Sequence, residues 1–114
     1  MQVLRVEDHA HTRRVLTLLL NRCGCQVIES RTMKDASALL LQMPFSVLIS
    51  DLNLPDGDGV ELAREAKAMQ KVKAIAITGR SADDDRAVAL EAGFDCYLTK
   101  PINFADLKRA LHSP

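Results

Sequence analysis

Val47-Leu48-Ile49-Ser50-Asp51-Leu52-Asn53-Leu54-Pro55-Asp56-Gly57-Asp58-Gly59 is the stretch on which the reading of the chain turns. An apolar run, β-branched in part, ends abruptly in a carboxylate. A turn rich in Pro, Gly and Asp follows, and a helical pattern begins after it. A short apolar run between breakers predicts a strand buried on both faces. Asp51 then stands at the carboxyl end of that strand, the edge of an open α/β sheet at which ligands bind.

Working outward, strand-like and helix-like stretches alternate from end to end. Strands are predicted over 3–6, 26–30, 45–50, 72–77 and 96–99. A helix over 12–23 carries Val15, Leu16, Leu18, Leu19 and Leu20 and is ended by Gly24 as a left-handed cap. Thr32 caps a second helix whose buried stripe is Ala36, Leu39, Leu40 and Met43, and Pro44 stops it. Asp58 and Glu61 resemble a capping box ahead of Val60, Leu62, Ala63, Ala66 and Met69. A fourth helix is predicted over 81–92, acidic at its amino end (Asp83, Asp84, Asp85) and stopped by Gly93. Asn103 caps a last helix with Phe104, Leu107, Ala110 and Leu111. Strict alternation implies parallel strands with crossover helices on both faces. The expected fold is α/β: a flavodoxin-like, five-unit (βα)5 three-layer sandwich with a parallel sheet in the order 2-1-3-4-5. The 114 residues make one domain, 1–114.

In that order the strand ends bring a particular set of side chains to one edge. Strand 1 delivers Glu7 and Asp8, strand 3 Asp51, strand 4 Thr78, and strand 5 Lys100. Crowded carboxylates repel one another, and a divalent cation among them relieves this. Oxygen ligands with room for water suit Mg²⁺ or Mn²⁺. Lys100 adds a compact positive charge. A carboxylate so placed can attack phosphorus and form an acyl phosphate, while the lysine and a cation neutralise the phosphoryl oxygens. An Asp after a strand is commonly a turn former or helix cap; the company at the sister strand ends sets Asp51 apart. His9 is close enough in sequence to reach a cation held there, but His9 and His11 read first as solvent-exposed loop residues beside this cluster. Arg80, two residues beyond Thr78, is expected to border the approach to Asp51.

Composition excludes several classes. Lys and Arg number fifteen, as do Asp and Glu, so no basic surface for nucleic acid or an acidic membrane is implied. No apolar run reaches the length of a membrane span. The three cysteines, Cys23, Cys25 and Cys96, are odd in number and follow neither a redox nor a zinc spacing, so they read as free thiols in a reducing, cytoplasmic setting.

The segments Val6-Glu7-Asp8-His9, Ser50 through Gly59, Ile77-Thr78-Gly79 and Leu98-Thr99-Lys100-Pro101 together resemble the receiver domain of two-component response regulators. The resemblance covers the whole chain. The run Ala92-Gly93-Phe94-Asp95-Cys96-Tyr97-Leu98-Thr99-Lys100-Pro101 most resembles receivers attached to hybrid sensor histidine kinases. The resemblance implies phosphorelay signalling, with Asp51 phosphorylated from a histidine kinase or histidine phosphotransfer protein. Mg²⁺, for which Mn²⁺ can substitute, would be held by the Asp8 and Asp51 side chains and the Asn53 main-chain carbonyl, with Glu7 acting directly or through water. Lys100 would contact the phosphoryl group, and Thr78 and Tyr97 would move as a switch. The surface of helix 4, strand 5 and helix 5 would then change its partner affinity. The resemblance also implies a cis Lys100-Pro101 bond and admits an output or kinase domain in a longer parent. It describes a regulatory phosphoacceptor that assists its own Mg-dependent phosphorylation and dephosphorylation, not an enzyme acting on other substrates. The family's first acidic position is often Asp; here it is Glu7.

Two other classes compete. An Asp-nucleophile phosphatase usually needs a general acid two residues on, and Asn53 cannot transfer a proton. A flavodoxin-like cofactor binder needs a phosphate-cradling loop after strand 1, where this chain has Glu7-Asp8-His9.

Overall fold

The computed structural model describes residues 1–79 and 93–112. Its central sheet has five parallel strands: β1 (Gln2–Val6), β2 (Gln26–Ser30), β3 (Val47–Asp51), β6 (Lys73–Thr78) and β7 (Cys96–Thr99), in the order β2-β1-β3-β6-β7. This is the expected 2-1-3-4-5 order. The extra strand numbers belong to a hairpin of two-residue strands, β4 (Asn53–Leu54) and β5 (Gly57–Asp58), paired antiparallel. The sequence shows that segment only as a turn; Pro55-Asp56 reverses the chain tightly enough for Asn53 to pair with Asp58.

Side chains on β3 explain the layers. Every residue from Val47 to Asp51 is buried. Leu48 packs with Leu4, Val6, Leu40, Leu62 and Ala66 in one core cluster, whereas Val47 and Ile49 pack with Val3, Leu16, Leu20, Ile77 and Leu107 in another. Alternate residues therefore serve opposite faces, and both faces are covered. Helices α2 (Met33–Gln42) and α3 (Gly59–Met69) supply the first cluster; α1 (Ala10–Arg22) and the C-terminal helix α4 (Phe104–His112) supply the second.

The boundaries follow local chemistry. Thr32 caps α2 by accepting from the Asp35 amide, Asp58 caps α3 by accepting from the Val60 amide, and Asn103 accepts from the Asp106 amide at the start of α4. Gly24, just past α1, adopts a φ of 76°, the left-handed conformation expected of a helix-terminating glycine, and Gly93 has a φ of 100°. β3 starts at Val47, not Phe45, because the Phe45 amide donates to the Gln70 side chain, outside the ladder. It ends on Asp51 itself, one residue beyond the predicted boundary. The predicted helix over 81–92, with Arg80 and Asp83 to Asp85, lies outside the described residues. The cysteines are free thiols, and burial pushes those of Cys25 and Cys96 up. No helix among the described residues is long and apolar enough to cross a membrane.

Candidate functional site

The carboxyl edge of the sheet gathers side chains from separate strand ends. Asp51 closes β3 and is buried. Its Oδ1 accepts from the Asn53 amide at 3.0 Å, which fixes the carboxylate's orientation, and its Oδ2 lies 3.0 Å from Lys100 Nζ. Lys100 is held at this spot by its own backbone, whose amide donates to the Thr78 carbonyl at 2.9 Å across the ends of β6 and β7. The Lys100-Pro101 bond is cis, as expected.

Glu7 completes the group. Its amide donates to Ser30 O, so it prolongs the β1–β2 ladder by one residue and its side chain is fully buried between strand ends. Oε1 accepts from the His9 amide at 2.9 Å and stands 2.9 Å from His9 Nδ1. Oε2 is 3.4 Å from Lys100 Nζ, an ion-pair distance, but has no hydrogen-bond partner. A buried carboxylate oxygen without a hydrogen bond is costly.

The remaining expected site residues are placed differently. Asp8 leaves the ladder and is exposed; its carbonyl accepts from Arg13 Nη1, and its carboxylate is not among the clustered donors. The carboxylate from strand 1 that joins Asp51 is therefore that of Glu7. Thr78 is buried at the end of β6, with its hydroxyl donating to Leu98 O over a long 3.4 Å. Asn53 is exposed at the start of the hairpin, tied to Asp51 through its amide. Tyr97 is half-buried on β7, the edge strand, and packs against the α2–α3 core. His9 is the residue that sequence reasoning underweighted. Its side chain is 70% exposed, as expected of a loop residue, yet its Nδ1 points into the cluster, 3.5 Å from Lys100 Nζ. The available signal was its position directly after the acidic pair.

The donor chemistry fits a divalent cation. Ligand atoms of Glu7, His9 and Asp51 all lie within 4.8 Å of one another. The orphaned Glu7 Oε2 is the type of group such an ion satisfies, and two carboxylates offer the hard oxygen ligands that Mg²⁺ takes.

Comparison with known proteins gives this arrangement a class. The response regulator receiver domain model matches residues 3–112, and the chain belongs to that family. The KDP operon transcriptional regulatory protein KdpE of Escherichia coli is 37% identical over 109 residues, covering 96% of this chain and 48% of that protein. The chain thus spans about half the length of that relative. Among solved structures, a CheY-like response regulator receiver domain from Methylobacillus flagellatus is 32% identical with a TM-score of 0.88, covering 99% of this chain and 97% of that one. The receiver domain of sensor histidine kinase PA1611 from Pseudomonas aeruginosa is 30% identical with a TM-score of 0.86, covering 96% and 93%. That structure has a magnesium ion coordinated in its active-site cleft. The chain is a receiver domain of two-component phosphorelay signalling, and its fold is the flavodoxin-like one expected.

Proposed function

We propose that Asp51 is the phosphoacceptor of this receiver and that residues 1–114 act as one regulatory unit. The observation that carries the reading is the position of Lys100 Nζ, 3.0 Å from Asp51 Oδ2 and 3.4 Å from Glu7 Oε2. An ammonium group between the acceptor and a second carboxylate is placed to meet an incoming phosphoryl oxygen.

An Asp51 carboxylate oxygen attacks the phosphorus of a phosphohistidine on a histidine kinase or phosphotransfer protein. The P–N bond breaks, an O–P bond forms, and the imidazole nitrogen leaves with the bonding pair. Mg²⁺, or Mn²⁺ in its place, would be held by the Asp8 and Asp51 side chains and the Asn53 carbonyl, with Glu7 acting directly or through water. When bound, the cation neutralises phosphoryl oxygens as charge redistributes. Lys100 exchanges its contact with the Asp51 carboxylate for one with the phosphoryl group. The Thr78 hydroxyl leaves the Leu98 carbonyl, a bond already long for O–H···O, and donates to a phosphoryl oxygen. Tyr97 turns inward with it. The phosphoryl group thereby biases an existing equilibrium of the β7–α4 surface. The domain works in the cytoplasm, where it catalyses only its own phosphorylation and dephosphorylation, either alone or joined to an output or kinase domain. It makes no direct contact with nucleic acid and does not insert into a membrane.

The test is incubation with Mg²⁺ and acetyl phosphate, followed by intact mass measurement. Gain of one phosphoryl group, abolished in Asp51→Asn, is expected. An unmodified wild-type mass overturns the reading.

A further inference from the structure

We propose that His9 supplies a nitrogen ligand to the divalent cation held by Glu7 and Asp51, giving this receiver a mixed oxygen–nitrogen site that favours imidazole-seeking cations such as Co²⁺. The proposal rests on the reading of Glu7 and Asp51 as the cation site and adds a ligand and a selectivity to it.

Three observations carry it. First, His9 Nδ1 and Glu7 Oε1 are 2.9 Å apart. Two neighbouring ligands at right angles on a six-coordinate cation, with bonds of about 2.1 Å, are themselves separated by about 3 Å. The pair is already spaced as adjacent ligands. Second, the position of His9 is braced. Its amide donates to the same Glu7 Oε1 at 2.9 Å, so backbone and ring both converge on one carboxylate. The ring is otherwise exposed, which leaves its approach to the cluster open. Third, Glu7 Oε2 is fully buried with no hydrogen bond, and Lys100 Nζ reaches it only at 3.4 Å. One carboxylate oxygen of the cluster is thus left without a hydrogen-bond donor, although Lys100 Nζ stands among the three groups, 3.5 Å from His9 Nδ1.

The chemistry follows from ligand type. Carboxylates alone suit hard cations, Mg²⁺ above all; a neutral imidazole nitrogen adds affinity for Co²⁺, Ni²⁺ or Zn²⁺ and little for Mg²⁺. A third ligand from the strand-1 loop also gives the ion a seat that does not require the exposed Asp8 carboxylate.

The experiment is titration calorimetry of the untagged chain with Mg²⁺ alone and with Co²⁺ alone, on wild type, His9→Ala and Asp51→Asn. In His9→Ala, Co²⁺ affinity is expected to fall about tenfold or more, while Mg²⁺ affinity changes less than about twofold. His9 is exposed and its substitution leaves the core untouched. Pulsed electron paramagnetic resonance of Mn²⁺ bound to wild type should show nitrogen modulation that His9→Ala abolishes. Equal loss of both cations in His9→Ala, an unchanged Co²⁺ affinity, or no nitrogen modulation in wild type each overturns the proposal. If both cations still bind undiminished to Asp51→Asn, the underlying cation site itself is wrong, and the failure lies there and not with His9.

Discussion

Lys100 Nζ and Asp51 Oδ2 stand 3.0 Å apart, joined across the sheet edge from residues 49 positions apart in sequence. The contact has two opposed consequences. The ammonium stabilises charge on a phosphoryl group at Asp51, but it also repels a dication entering the same cluster. Two unit charges about 4 Å apart in water interact by about 1 kcal/mol, and by more where water is excluded. Lys100→Met is therefore expected to raise Mg²⁺ affinity several-fold while lowering the rate of phosphorylation by acetyl phosphate at least tenfold. Calorimetry and mass spectrometry read the two effects separately. A variant in which both quantities fall together would mean that the lysine supports only the fold.

Gly59 follows the hairpin that carries the acidic turn. A Cβ built there would lie 2.2 Å from the Asp51 carbonyl oxygen and 3.0 Å from Leu52 Cα, both backbone atoms that cannot yield cheaply. The Gly59 amide also donates to Leu52 O at 2.9 Å, which pins the two segments together. Gly59→Ala is expected to lower stability by about 1–3 kcal/mol, as overpacking does, and to slow phosphorylation because the displaced backbone is that of the acceptor. Urea denaturation and the acetyl phosphate assay check this. Wild-type values in both would show that the backbone relaxes without effort.

The sheet order was legible in the sequence because each strand is short, apolar and bounded by a breaker, and because alternation with helices leaves few topologies. Helix starts were legible where a side chain caps them, as at Thr32, Asp58 and Asn103. The start of α1 was not, since its N-cap residue His9 makes no side-chain cap. Which acidic residue after β1 turns inward was also hidden. Glu7 and Asp8 are adjacent, and the choice depends on how far the β1–β2 ladder runs, which the bond from the Glu7 amide to Ser30 O decides. The hairpin at Asn53–Leu54 lay below any periodicity signal, two residues being too few to alternate.

Gln70 sits at the opposite edge of the sheet from Asp51. Its Nε2 donates to the carbonyls of Leu40 and Met43, both at 2.8 Å, and its Oε1 accepts from the Phe45 amide at 2.7 Å. One side chain thus satisfies the end of α2 and the segment entering β3. Gln70→Ala leaves those groups to be rehydrated in a half-buried place, a loss of about 1–3 kcal/mol. The phosphorylation rate at Asp51 is expected to stay within about twofold of wild type, since each factor of ten corresponds to about 1.4 kcal/mol at the site itself. A large drop in rate with unchanged stability would contradict this separation.

Arg5 is the charged residue whose burial the sequence does not foretell. It lies fully buried in β1, with its Nη2 2.9 Å from Glu29 Oε1 on the neighbouring strand, where the two residues are in register. Burial lowers the Arg5 pKa against the pull of Glu29. Burial also pushes the Glu29 carboxyl up, but the nearby Arg5 charge and the hydrogen bond donated by the Thr17 hydroxyl outweigh it, and the net shift is below the ordinary carboxylate value. A folded-state pKa depressed in this way contributes stability above the unfolded value. That contribution disappears as pH falls through the folded-state pKa, leaving the arginine without its counter-charge. Removing one partner of such a pair costs more than replacing the buried one by an apolar side chain. Glu29 is itself 59% exposed at its side chain, so solvent screens the pair. Glu29→Gln is accordingly expected to destabilise the domain by about 1 kcal/mol at neutral pH and to flatten the acid limb of its stability profile. Arg5→Leu is expected to be neutral or stabilising, with the same flattening. Thermal or urea unfolding across the range from neutral to acid pH measures both limbs. A strongly destabilised Arg5→Leu would show that the pair holds β1 and β2 together in a way an apolar side chain cannot replace.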